Sequence, residues 1–153
     1  MPNLRWEVKT FQQLTVEQLF EVLQLRVNVF VVEQGCLYPE LDDFDRHVET
    51  QHLSGRDECD QLMAYARILP PGLNFCEVSI GRFVVKAAAR GKGIGHELLR
   101  TALDVIRQCW PGSAIRISAQ EYLQEFYEQH GFTRVSALYR EDGIPHVEML
   151  KES

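Results

Sequence analysis

From residue 83 to residue 95 the chain reads Phe83-Val84-Val85-Lys86-Ala87-Ala88-Ala89-Arg90-Gly91-Lys92-Gly93-Ile94-Gly95. An apolar strand runs into alternating glycines, and the glycines open a helix that should extend from about residue 93 to 109. In that helix Ile94, Leu98, Ala102, Val105 and Ile106 form one apolar stripe, opposed by Glu97, Arg100, Asp104 and Arg107. Glycine reaches φ > 0 and lets a backbone approach an anion closely. The first N–H groups of a helix lack internal acceptors and point at whatever sits before them. The stretch therefore predicts a pyrophosphate seat, with Arg90 and Lys92 adding positive charge. On glycine spacing alone, a tight strand-to-helix turn with solvated cations is an open alternative. A P-loop is excluded, because no Lys-Ser or Lys-Thr closes the run. Dinucleotide GxGxxG spacing fails as well, since residue 96 is not glycine.

Around this centre the pattern alternates strands and helices. A first strand is expected at residues 6–11. Thr15 opens a helix, with Gln18 completing a capping box and Leu14 stapled onto Leu19; Val16, Leu19, Phe20, Leu23 and Val27 supply its apolar face. Residues 33–45 turn irregular and acidic, and predict a mobile, substrate-facing segment. Strands are expected at 51–54, 62–69, 75–85, 114–118, 133–140 and 144–150. A short helix spans 122–130 with Gly131 as its left-handed cap, and Asp142-Gly143 makes the last hairpin turn. The order β, α, three strands, α, β, α, two strands predicts a mixed α/β sheet with helices on both faces.

Length and charge narrow the class. A chain of 153 residues, 45% hydrophobic and 25% charged, is expected to form one globular domain over residues 1–153. The net charge of -6 argues against a nucleic-acid partner. Four scattered cysteines without CxxC spacing read as reduced thiols of a cytoplasmic protein. The start, residues 1–7, carries no secretory apolar region, and no run is long enough for a membrane.

Arg90-Gly91-Lys92-Gly93-Ile94-Gly95 resembles the Arg/Gln-x-x-Gly-x-Gly/Ala signature of the GNAT family of N-acetyltransferases. Phe126-Tyr127-Glu128-Gln129-His130-Gly131-Phe132 is similar to that family's Phe-Tyr-x-x-x-Gly-Phe block. Residues 25–34, Ala64-Tyr65-Ala66-Arg67, Ile80-Gly81-Arg82 and residues 141–146 look like its ElaA-type bacterial subgroup. The likeness covers nearly the whole chain in order. It implies a GNAT-like fold: a mostly antiparallel sheet of six to seven strands, with a central parallel pair splayed for the cofactor. It implies acetyl-CoA as cosubstrate and no metal. The backbone of Phe83, Val84 and Val85 would take the pantetheine arm, the amides of residues 91–95 the pyrophosphate, and Gly81 would mark the bulge that opens the groove.

The implied reaction moves an acetyl group to the amine of a small acceptor. Direct transfer needs a neutral amine and an acid for the leaving thiolate. By resemblance Tyr127 is that acid, the reading its surrounding block favours; by helical spacing it is also readable as a core residue beside Leu123, Phe126 and His130. Glu77, on the cofactor strand, and His146, after Pro145, are the candidate bases, with His52 and Glu33 behind them. Each is also readable as structural, and an ordered water chain can replace a single base. Asp42, Asp45, His47 and His52 match no metal-site spacing and read as an acidic solvated loop. Arg26, Arg67 and Arg82 are expected to pair with carboxylates such as Glu33 or Asp45. Two other readings stand beside the first. Arg26-x-x-Val29-Phe30-x-x-Glu33 and Glu40-x-Asp42-x-Phe44-Asp45 are also similar to the N-terminal half of acyl-homoserine-lactone synthases, and the fold also suits a non-catalytic acyl-CoA-binding regulatory module. A homodimer is left open.

Overall fold

A computed structural model describes residues 3–153; the first two residues of the start read above as leaderless lie outside them. Strand β1 (Arg5–Lys9) ends earlier than expected, because Thr10 caps a short 3-10 turn, Phe11–Gln13, instead of continuing the strand. Helix α1 (Val16–Arg26) starts as the sequence predicts. Thr15 Oγ1 accepts the amide of Gln18 at 3.1 Å, and Gln18 Oε1 accepts the amide of Thr15 at 3.0 Å. Its buried face is a different one. Val16 and Phe20 are 86% and 62% exposed, whereas Val22, Leu25 and Arg26 are buried. The helix then loosens into a π-helical stretch, Val27–Glu33, that buries Val29 and Phe30. An arginine on the inner face rotated the true core side away from the apolar stripe.

Strands β2 (Gln51–Arg56), β3 (Leu62–Leu69) and β4 (Ser79–Val85) follow, and the antiparallel sheet runs in the order β1-β2-β3-β4. Trp6 stands opposite Gly55 across β1 and β2, with its ring folded over the glycine: a Cβ at Gly55 would lie 2.5 Å from the indole. Helix α2 (Ile94–Cys109) comes next, then β5 (Ile115–Gln120), α3 (Gln124–Glu128), β6 (Thr133–Arg134), β7 (Tyr139–Glu141) and β8 (Ile144–Lys151). The second sheet is ordered β5-β8-β6, with β7 also pairing β8. The eighth strand arises because the single strand expected at 133–140 is broken, and its two ends pair separately with β8.

The helices lie on both faces, as expected. Val22, Leu25, Val29 and Phe30 pack on Leu62, Tyr65 and Val84. The α2 stripe joins Leu53, Ala64, Ala66 and Ile68 on the other side. The two sheets meet between β4 and β5 at one parallel bridge, Val78 with Ile115, where Arg116 N–H donates to Val78 O at 2.9 Å. Beyond it the strands part. Among the described residues no helix is long and apolar enough to cross a membrane.

Candidate active site

The glycine turn has the geometry its composition predicts. Gly91 and Gly93 stand at φ 80° and 77°, and Gly93 is the N-cap of α2. The first amide of this helix with a backbone acceptor is that of Glu97, which donates to Gly93 O at 3.2 Å; the amides of residues 91–95 have none. Five free donors with no Cβ at three of the residues fit a pyrophosphate. Arg90 is placed differently from expectation. Its Nε donates to Val85 O at 3.0 Å and its Nη1 to Glu33 Oε2 at 2.6 Å, so it clamps the loop between β4 and the end of the π-helical stretch. Lys92 is left as the exposed cation of the turn.

The groove opens one residue past the glycine expected to open it. Tyr65 faces Val84 and Arg67 faces Gly81, so Arg82 and Phe83 together oppose Ala66. Arg82 takes the strained conformation, φ 48°, while Gly81 does not. Past this bulge lies a cleft of about 450 Å³. One wall carries residues 79–83 of β4, the other Ser118, Ala119 and Gln120 of β5, and Tyr127 and His146 both line it. Backbone groups alternate in direction along a strand, so alternate residues of 83–85 face the gap.

Tyr127 is packed as a core residue and also borders the cleft. Its ring is buried against Phe83, Phe126 and Phe132, with centroids 6.1, 5.2 and 5.7 Å away. Among the described residues its hydroxyl has no hydrogen-bond partner, and Tyr127 lines the cleft. Burial pushes the hydroxyl pKa up, so it is a protonated group at neutral pH. His146 is buried, and its Nδ1 lies 2.7 Å from Ile144 O. A carbonyl only accepts, so Nδ1 carries a proton, and Nε2 lies 3.6 Å from Glu141 Oε2.

The other base candidates are elsewhere. Glu77 lies outside the cleft, bonded at 3.2 Å to Arg116, which holds its carboxyl below the usual range. His52 is buried, with both ring nitrogens occupied by Tyr65 Oη at 2.7 Å and Asp45 O at 3.0 Å. Glu33 is held by Arg90.

The acidic stretch is anchored by buried ion pairs, although Leu37, Leu41 and Asp43 stay exposed. Glu40 and Asp45 are buried, Arg26 bonds to both at 2.8 Å, Arg67 bonds to Asp42 and Asp45, and Arg82 reaches Glu40 at 2.7 Å. The arginines pair with carboxylates as expected, and the partners are Glu40, Asp42 and Asp45. The stretch does border the cleft, through Cys36, Tyr38, Pro39, Asp42 and Phe44. Sequence reasoning missed the polar groups on the β7 side. Tyr139 Oη bonds Ser118 Oγ and its ring stacks on His146 at 6.1 Å. The Asp142-Gly143 hairpin was the available signal, because its register sets Tyr139 across from His146.

Residues 36–153 match the family described as Acetyltransferase (GNAT) domain. The protein ElaA of Escherichia coli is 40% identical over 149 residues, 97% of each chain, and its crystal structure superposes with a TM-score of 0.92. An acyl-CoA N-acyltransferase of Pseudomonas aeruginosa is 42% identical at a TM-score of 0.92, covering 97% of this chain and 99% of that one. The AHL synthase LasI shares the fold, with a TM-score of 0.80 at 14% identity over 99% of this chain and 91% of its own.

Proposed function

This chain belongs to the GNAT acetyltransferase family, and we propose that it moves an acetyl group from acetyl-CoA to the amine of a small acceptor. The observation that carries this reading is the line from the glycine cradle, along the open edge of β4, into a cleft bordered by both Tyr127 and His146. The donor supplies a thioester carbonyl open to attack by a neutral amine. Amides of residues 91–95 hold its pyrophosphate, and the free backbone groups of residues 83–85 align its pantetheine arm. The Tyr127 hydroxyl protonates the departing thiolate. His146 accepts the amine's proton at Nε2, and the Glu141 carboxylate stabilises the imidazolium. Glu141 and Asp142 on the cleft wall, which unlike Asp42 hold no arginine, favour an acceptor that arrives as an ammonium ion. A cytoplasmic location fits the four free thiols.

Incubation of the protein with acetyl-CoA and a panel of amines, read by mass spectrometry, tests the assignment. An acetylated amine supports it. Acylated homoserine lactone would instead support the synthase reading, which the acidic stretch and the LasI-like fold favour. Cofactor binding with no turnover across the panel would leave a regulatory acyl-CoA-binding module.

A further inference from the structure

On the outer side of the cradle, α2 and the end of α3 are joined by a histidine pair. His96 Nδ1 and His130 Nε2 stand 2.8 Å apart, a separation at which one nitrogen carries the proton and the other accepts it. Phe126 packs on both rings, 4.7 Å from His96 and 5.4 Å from His130. The same phenyl ring flanks the cradle, for a Cβ at Gly95 would meet it at 3.7 Å. The pair therefore begins at the residue directly after the last cradle glycine.

Two more cations gather there. Arg100 lies one turn along α2 from His96, and Lys151, at the end of β8, brings its ammonium within 2.6 Å of where Gly131 would carry a Cβ, beside His130. Burial lowers the His130 pKa, and His96, Arg100 and Lys151 lower it further. Of the acids on the same helices, Glu97 accepts Trp6 Nε1 at 2.8 Å, Glu128 accepts Gln124 Nε2 at 3.3 Å and Asp104 pairs with Arg107, which leaves the exposed Glu125. Among the described residues nine arginines hold a carboxylate, whereas Arg100 and Lys151 hold none. In a chain of net charge -6, two cations without a carboxylate partner, Arg100 and Lys151, flank two imidazoles that can donate hydrogen bonds, a place suited to an anion.

We propose that His96, Arg100, His130 and Lys151 form the subsite for the ribose 3′-phosphate of the coenzyme A donor. The assignment rests on the acyl-CoA reading above. Coenzyme A carries two different phosphate groups. The pyrophosphate suits a ring of amides, while the terminal phosphomonoester, with a second pKa near ~6, is close to a dianion at neutral pH and calls for full cations. One ribose separates the two, and one helical turn separates the cradle from the basic group.

Calorimetry with coenzyme A and with 3′-dephospho-coenzyme A tests this on the parent, on R100M/K151M and on R107M. The parent should bind coenzyme A at least about ten-fold more tightly than the dephospho form. R100M/K151M should lose most of that ratio through weaker coenzyme A binding, with dephospho-coenzyme A affinity kept within about two-fold. Arg107 is exposed in the last turn of α2 and pairs with Asp104, so R107M should retain the ratio. A parent that binds both ligands equally, or a double variant that still discriminates, overturns the subsite while leaving the donor assignment intact. If neither ligand binds the parent, the donor assignment fails and the subsite with it.

Discussion

Arg26 Nη1 donates to Asp45 Oδ1 across 2.8 Å, with the two side chains 0% and 8% exposed. Burial alone would raise the Asp45 pKa, but Arg26 and Arg67 together hold it down at about 2. In the unfolded chain an aspartate titrates near ~3.9. The folded value is the lower one, so this group contributes stability that is complete above about pH 4 and fades as pH falls towards 2. The contribution is on the order of 2 kcal/mol. Thermal midpoints measured through this window should drop steeply for the parent and less steeply for Asp45→Asn, whose midpoint at neutral pH should already be lower. An unchanged slope in Asp45→Asn would remove Asp45 from the account.

Tyr127→Phe keeps the ring among Phe83, Phe126 and Phe132 and deletes only the hydroxyl. Among the described residues that hydroxyl has no partner, so the thermal midpoint should barely move. Turnover should fall by ~10²–10⁴, the usual worth of a positioned general acid, while acetyl-CoA affinity holds. A kcat within a few-fold of the parent, on the order of 1 kcal/mol in barrier, would return Tyr127 to a packing role.

Gly93→Asp puts a side chain and a negative charge at the N-cap of α2, where φ is 77°. Left-handed backbone costs a non-glycine residue roughly 1–2 kcal/mol. The larger effect should be on the donor: calorimetry should find acetyl-CoA bound at least about ten-fold more weakly. Unchanged affinity in a variant that remains folded would falsify the cradle.

Gly55→Ala probes the junction of β1 and α2. Its methyl group would sit 2.5 Å from the Trp6 ring, which must move and so strain or break its bond to Glu97. Overpacking of this kind costs about 1–3 kcal/mol, so denaturant midpoints should fall and tryptophan fluorescence should change. A variant as stable as the parent, with the same emission, would show that the indole has room to yield.

What the sequence revealed follows a physical division. The Thr15 capping box, strand Leu62–Leu69, helix α2, the Gly131 cap and the Asp142-Gly143 turn all depend on residues a few positions apart, and each is where local reasoning set it. The core face of α1 is not local. It contains Arg26, which hydropathy assigns to water, and only Glu40 and Asp45, 14 and 19 positions on, make its burial tolerable. The same pairing turned an apparently solvated loop into a pinned one. His96 and His130, 34 positions apart, gave no signal of a hydrogen bond at all. At the candidate site the glycine turn was visible because glycine φ angles are local. The neighbourhood of His146 was not, because Tyr139, Ser118 and Glu141 reach it through strand register.

Where β4 and β5 separate beyond Val78 and Ile115, each leaves a strand edge with unpaired backbone groups, and the two edges face each other across the cleft. On an outer rim such edges recruit other polypeptides and seed aggregation. Facing each other across a cleft of about 450 Å³, the two edges are withdrawn from the outer rim of either sheet, and the donors and acceptors that would otherwise invite another strand line a ligand-sized space.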